Sequence, residues 1–405
     1  NEGYEHSRPT TFSCLTNILA HPQYERLFHH KGATNLPQSP LTPFAPVPRR
    51  ITSMPKRHSS PLVLAIARFR RMRRGYYSFW LLIFAYVLSL LSGLLVNNKA
   101  LVVYYEGDYY FPLTKFYLAE TFGQREAYGQ RNLGETEYRE LQRQFRAAGA
   151  GNWVWLPPYP YHPNELLLHE ADSPPQPPSR RHWLGTDDRG RDVFARLVYG
   201  FRTSMTFALL VTALSYGIGV LCGATLGFFG GRVDIFGQRL IEVWAGVPFL
   251  YTMIIISSIF RPNFYLLAVL LTLFHWIRIS YYTRGEFLRE KAKDYVEAAH
   301  AMGYRNGSIM FRQILPNALT PVVSFAPFSV VGNISSLVAL DFLGFGLPPP
   351  TPSWGELIHQ GTQNIFEWHL VVFPLLALFL TLQLTVFIGE AVRESFDPRV
   401  FSRLR

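Results

Sequence analysis

Apolar positions along this chain merge into long uncharged runs. Phe79 to Val96 carries no charge and ends at Asn97-Asn98-Lys99. A second run lies within Thr203 to Gly231, and a third is Val243 to Phe260. The fourth, Asn263 to Tyr282, is interrupted only by Arg278 near one end. The fifth lies within Gln313 to Leu340, and the sixth is Trp368 to Gly389. A helix needs roughly 20 apolar residues to cross a bilayer. Six such runs predict membrane-spanning helices rather than buried helices of a soluble core.

Basic residues at the ends of the runs predict orientation, because cytoplasmic loops are enriched in arginine and lysine. Arg68, Arg70, Arg71, Arg73 and Arg74 precede the first run and place the N-terminus inside. Alternation then puts 232–242, 283–312 and the tail after 389 inside. Those segments hold Arg232, Arg239, Arg284, Arg289, Lys291, Lys293, Arg305, Arg312, Arg393, Arg399, Arg403 and Arg405, whereas the two short outside loops hold only Arg261. Arg278 and Arg284 are expected at the cytoplasmic end of the fourth span, within reach of headgroups, where they position the helix and take no part in transport.

The intervals complete the plan. Residues 1–60 have no usable apolar stretch and read as a disordered cytoplasmic tail, with Met54 the expected native start. Residues 61–96 hold the N-terminal region and the first span. Residues 97–202 are too polar for lipid and too long for a connector. Within them, Val102 to Phe111 reads as two strands around Glu106-Gly107-Asp108, and 133–148 as a charged helix. Proline-rich stretches follow, then Trp183 to Gly200, read as an amphipathic helix lying in the interface, with Thr186, Asp187 and Asp188 as candidate caps. Residues 203–390 form the core with spans two to six, and 391–405 a cytoplasmic tail. The fold class is therefore an all-α polytopic membrane protein with a small mixed extracytoplasmic insertion between spans one and two.

Composition excludes several functions. The 405 residues are 17% charged, below the roughly 25% of a typical soluble chain. Two cysteines, Cys14 and Cys222, are too few for a disulfide framework. No lysine follows a glycine, so the phosphate-binding loop GxxxxGK[ST] is absent, as are HExxH, CxxC and GxSxG. His162, His169 and His182 lack helical ligand spacing and read as solvated. No catalytic residue, metal site or resident cofactor is expected. The net charge of +11 points to the membrane surface and gives no reason to invoke nucleic acid.

The loop between runs four and five is the most informative stretch. Leu288, Tyr295, Ala299 and Met302 form one helical stripe, with Glu297 on a polar face. Gly303 follows as a helix C-cap. Asn306 or Ser308 then caps a short second helix, Ile309 to about Gln313, and Leu315-Pro316 leads into the membrane. A short helix held at both ends by spans is a lever that a partner can grip.

Glu297-Ala298-Ala299, Gly303 and Leu315-Pro316 resemble the EAA loop of permease subunits of ATP-binding-cassette (ABC) importers. The family form carries isoleucine where this chain has Gln313; Ile314 is expected to supply that contact. Trp183 to Tyr199, Asp341 to Pro348 with Pro352 to Glu356, and Gly389 to Arg393 with Asp397-Pro398-Arg399 are similar to the dipeptide/oligopeptide branch. Tyr105 to Leu113 resembles the Yej-type permeases of peptide and microcin C importers. The resemblance implies six spans of the importer permease fold in the bacterial inner membrane. It implies a homologous second permease, two ATPase subunits or one fused ATPase, and a periplasmic peptide-binding protein. ATP and magnesium would be used by those ATPases and not bound here. Gly217, Gly219, Gly223, Ala224 and Gly227 are small enough for close helix packing, and span two or five is expected at the seam with the partner permease. Two other classes compete: an ion-coupled secondary transporter, which needs ionisable groups inside its spans, and a membrane-anchored enzyme with Asp187-Asp188 as acid and base.

Overall fold

The computed structural model describes residues 61–124, 134–149, 151–167 and 173–396. The expectations for residues 1–60, His169 and Asp397-Pro398-Arg399 fall outside the described residues. In chain order the helices are α1 (Pro61–Arg71), α2 (Arg73–Leu90), α3 (Ser92–Leu95), α4 (Tyr138–Ala148), α5 (Val193–Phe229), α6 (Gly231–Ala245), α7 (Phe249–Ile259) and α8 (Phe264–Lys291). They continue with α9 (Asp294–Ala301), α10 (Asn306–Ser308), α11 (Leu315–Val323), α12 (Ala326–Phe342), α13 (Trp354–Gln363) and α14 (His369–Ser395). Strands β1 (Val102–Tyr105), β2 (Asp108–Tyr110) and β3 (Trp153–Trp155) form one antiparallel sheet in the order β2-β1-β3.

Among the described residues, α5, α8 and α14 are each long and apolar enough to cross a membrane. Two further candidates are bent. The third run breaks at Gly246-Val247-Pro248, where α6 and α7 meet at 66°. Proline lacks the N–H that would continue the ladder and clashes with the preceding turn. The fifth run bends by 54° between α11 and α12, at Ser324-Phe325 between Pro321 and Pro327. The first run falls short as one helix. Its helix starts at Arg73-Arg74, stops at Leu90, and resumes for one turn as α3.

The expected interfacial helix is corrected. Val193 to Phe229 is one unbroken helix of 37 residues, so the amphipathic stretch is the first part of a spanning helix. Its cap is Asp192, whose carboxylate accepts from the Ala195 N–H at 2.8 Å, and not Thr186, Asp187 or Asp188. Gly200 does not break the helix. A Cβ there would lie 2.8 Å from the Trp354 ring, so the glycine marks a close approach of α13.

Glycines on α5 set the main packing. Cβ atoms at Gly219, Gly223 and Gly227 would lie 2.7 Å or less from Ile279, Ser280 and Phe287 of α8. These positions, with buried Ala224, let α5 and α8 touch backbone to backbone within the chain. That corrects the expectation that this face of the second span forms a seam with another subunit. Gly217 has nothing within 4 Å of its would-be Cβ and faces outward. Gly75 of α2 meets Ala391 of α14 in the same manner.

Three apolar clusters hold the bundle. One joins α5, α12, α13 and α14 through Leu197, Ile334, Trp354 and Leu370. A second joins α5, α7, α8 and α12 through Phe207, Met253, Leu271 and Leu337. The third sits where α5 and α8 end. Apart from these, the sheet and α4 enclose their own core of Val103, Phe122, Leu141, Phe145 and Val154.

Candidate functional site

The loop after α8 is built on the third cluster. α9 ends at Ala301 with Met302 as its C-cap, and Gly303 takes φ +78°, the left-handed conformation that costs glycine little. The Tyr304 N–H donates to the Ala299 carbonyl at 3.2 Å, and the Gly303 N–H to the His300 carbonyl at 2.9 Å. This pair of bonds is a Schellman motif, closing two carbonyls that the helix end would leave open. The chain turns through α10 into a π-helical stretch, Ile309–Ile314, which runs directly into α11 with Pro316 in its first turn. The expected short α-helix is thus π-helical and continuous with the next segment. Single π turns inserted in helices are common at functional sites.

Two faces result. Val296, Ala299, Ile309, Met310, Ile314 and Ala318 are buried against Ala224 and Phe228 of α5 and Phe287 of α8. Ile314 is fully buried there while Gln313 is half-buried. Leu315 packs at the edge of this cluster. Glu297, Ala298, Gly303 and Pro316 are exposed, beside large exposed apolar side chains at Met302, Tyr304 and Phe311. The loop is also tied by charge. Lys293 pairs with Glu290 at 2.6 Å, Tyr295 donates to Glu290 at 3.1 Å, and Lys291 donates to the Phe228 carbonyl at 2.6 Å. The loop is therefore fixed to the ends of α5 and α8, and its exposed side presents large apolar side chains with the carboxylates of Asp294 and Glu297.

At the opposite end of the bundle, residues far apart in sequence form a buried ionic knot. Asp187 accepts from the Arg191 N–H at 2.8 Å and from its Nε at 2.7 Å, and Arg196 Nε lies 3.5 Å away. Glu356 of α13 receives Arg191 Nη2 at 3.2 Å and also Arg196 Nη2. Asp187 and Arg196 are fully buried. Burial, then the neighbouring Asp187, pushes the Asp188 carboxyl above the ordinary aspartate range. Asp187 and Asp188 are thus an ion-pair partner and its neighbour, with no arrangement as acid and base.

Beside the knot, Asp192 accepts from the Tyr159 hydroxyl at 2.6 Å and bonds His182 Nδ1 at 2.9 Å. Burial, then the Asp192 charge, raises the Tyr159 pKa far above 10, so the phenol keeps its proton and donates. His182 is buried and His162 mostly so, against the expectation that both are solvated. Asp341 closes α12 by accepting from the Leu347 N–H at 2.7 Å and the Ser353 hydroxyl at 2.5 Å. Among the described residues, no group of three or more His, Cys, Asp or Glu side chains could hold a metal ion.

Sequence reasoning expected Glu297, Ala298, Ala299, Gly303, Ile314, Leu315 and Pro316 at the site, and the structure places them between α9 and the first turn of α11. It missed the joining of Arg196 to Glu356. The only local signal was two arginines on the rim of an apolar helix. α8 continues to Lys291, which places Arg278 in the middle of the helix, and Arg284 forms a two-pronged pair with Asp234 of α6 at 2.5 Å.

Three helices long and apolar enough to cross a membrane, with two further candidate spans bent beside prolines, define a helical membrane protein. Residues 217–402 match the family described as binding-protein-dependent transport system inner membrane component. Over 332 residues, 82% of this chain and 95% of the other, the sequence is 43% identical to the inner membrane ABC transporter permease protein YejE of Escherichia coli (strain K12). It is 38% identical over 357 residues, 82% of this chain and 91% of the other, to the peptidoglycan transport system permease protein YejE of Agrobacterium fabrum. It is 31% identical over 240 residues, 59% of this chain and 75% of the other, to the dipeptide transport system permease protein DppC of Bacillus subtilis. The chain belongs to the family of ABC transporter permeases, as its EAA-like loop and flanking motifs predict.

Proposed function

We propose that this chain is the membrane subunit of an importer that moves peptides across the bacterial inner membrane, pairing with a second permease. ATPase subunits grip its 284–316 loop, and a binding protein delivers cargo to the opposite end. Homology to permeases named for dipeptide and peptidoglycan transport supports the cargo class. The observation that carries the coupling role is the loop's division into two faces. One is locked to α5 and α8 through Ala299 and Ile314, and the other is exposed at Glu297, Ala298 and Met302. A partner that displaces the exposed face moves two spanning helices with it.

In this reading six spans cross the membrane, α2 with α3 supplying the sixth, and the sheet of β1, β2 and β3 lies outside with α4. Both termini are cytoplasmic. Ala391 of α14 packs on Gly75 of α2, which brings the end of α14 beside the Arg68–Arg74 cluster. The chain does no chemistry itself; its partners bind and hydrolyse ATP with magnesium.

The test is Gly303→Val in the reconstituted complex. A β-branched residue at φ +78° is strained by about 1–3 kcal/mol, enough to unseat the turn and leave the spans intact. Peptide uptake and binding-protein-stimulated ATP hydrolysis should fall together at matched membrane levels. Normal values for both would overturn the coupling role of this loop.

A further inference from the structure

A second polar site lies between the spanning helices α5, α8 and α12. Arg278 lies about 21 Å along α8 from Phe264, at 1.5 Å per residue, and the hydrocarbon core of a bilayer is about 30 Å thick. The arginine is exposed on the chain's own surface between buried Ile277 and Ile279. Among the described residues, no carboxylate pairs with it. A cation at that depth is costly in lipid and is retained where it meets water, a partner or a ligand.

Arg278 lines a cavity of about 200 Å³ between α5, α8 and α12. Ser215, His275, Ser329, Asn333 and Ser336 share the lining, which contains no aspartate or glutamate. Asn333 is held by the Thr212 hydroxyl at 2.8 Å and bonds His275 Nδ1, so amide and ring are fixed in place. Among the described residues, the buried Ser215 hydroxyl has no hydrogen-bond partner. A buried hydroxyl left open is uncommon, because the loss is comparable to that of a hydrogen bond. One cation, several hydroxyls and no counter-charge make a site for a small anion. The volume accepts the end of one residue and excludes a whole peptide, since pockets for drug-sized ligands run to roughly 300–1,000 Å³.

We propose that the Arg278 cavity is a transit site for a carboxylate of the cargo, supplied by the peptide C-terminus or an acidic side chain. This rests on the peptide-importer reading above. Moving a carboxylate through a low-dielectric passage is opposed by its desolvation. A fixed guanidinium with neighbouring donors lowers that barrier, and the carboxylate can leave because the single cation faces an open cavity.

The experiment uses the complete transporter in proteoliposomes, with loaded binding protein and three peptides of equal length. One has a free C-terminus and no acidic side chain, one is C-amidated and neutral, and one is C-amidated with a single glutamate. Initial uptake is compared for the wild type, Arg278→Gln and Arg278→Lys. The same binding protein serves every permease, so its own preference cancels in the ratios. Arg278→Gln should slow carboxylate cargo about tenfold relative to the neutral peptide, with partial recovery in Arg278→Lys. Slowing of the free-C-terminus peptide alone assigns the site to the main-chain carboxylate; slowing of the glutamate peptide as well assigns it to carboxylates in general. Equal slowing of all three peptides reveals a structural or partner-pairing role and overturns the proposal, as does no slowing at all. If the wild type imports none of the peptides, the peptide-importer reading itself fails.

Discussion

Arg196 shows how much a single buried charge can hold. Its guanidinium is fully buried, reaches Glu356 and the Pro163 carbonyl, and has Arg191 as a neighbour. Removing one partner of a buried pair strands the other, at a cost of about 3–5 kcal/mol. Glu356→Gln should therefore lower the unfolding midpoint in detergent by on the order of 10 °C. Arg143→Gln, which breaks an exposed pair with Glu140 at 3.2 Å, should change it little, because exposed pairs contribute about 0–1 kcal/mol. Equal midpoints for Glu356→Gln and wild type would remove the knot from the list of stabilising features. Asp187 reads as a candidate cap in the sequence, and the fold makes it the ion-pair partner of Arg191 four positions away. Glu356 was not legible, because no local pattern points across 160 residues.

At the scale of elements, the glycine row of α5 sets how near α8 can come. A Cβ at Gly223 would lie 2.4 Å from the Ser280 carbonyl oxygen, a backbone atom that cannot swing aside. Gly223→Leu should prise the two helices apart and reduce the yield of folded protein severalfold in a detergent-solubilised gel-filtration assay. Gly217→Ala should be neutral or slightly stabilising, since its would-be Cβ meets nothing and alanine favours helix by about 0.5–1 kcal/mol. Two variants of similar yield would contradict the close packing. The small residues were legible from the sequence, but the face they pack on was not. Spacing of four places Gly219, Gly223 and Gly227 on one stripe, and only the fold shows that α8 covers it. The third run, Val243 to Phe260, reads as one uninterrupted span in the sequence, and the 66° bend at Gly246-Val247-Pro248 is seen only in the fold.

For the whole molecule, two ends with separate chemistry carry the transport reading. At one end the knot of Asp187, Arg196 and Glu356 joins α5 to α13, and His369 at the start of α14 bonds the Thr186 carbonyl at 3.1 Å. At the other, the loop cluster joins α5, α8 and α11. The proposed orientation predicts opposite access for two engineered thiols in a background with Cys14 and Cys222 replaced. Tyr304→Cys should react with an impermeant maleimide only in inside-out vesicles and be protected when the ATPases are bound. Asp108→Cys, in the turn between β1 and β2, should react only in right-side-out vesicles. Reaction of both from one side would refute the orientation, and an unprotected Tyr304→Cys would count against the docking face.

The amino-acid sequence alone determined the class of this protein, because crossing lipid forces long uncharged runs and basic flanks that no soluble fold requires. It also determined the turn after α9, since a helix end capped at Met302, a left-handed Gly303 and a proline entry at Pro316 are local events written within a few positions. Tertiary structure decided the joining of Arg196 to Glu356, the covering of the α5 glycines by α8, and the place of Arg278 beside Ser215 and Asn333. Each of these depends on which helix lies next to which. Between apolar helices in lipid, neighbours are chosen by shape fit and a few polar contacts summed over whole surfaces, and no single stretch of sequence records that sum.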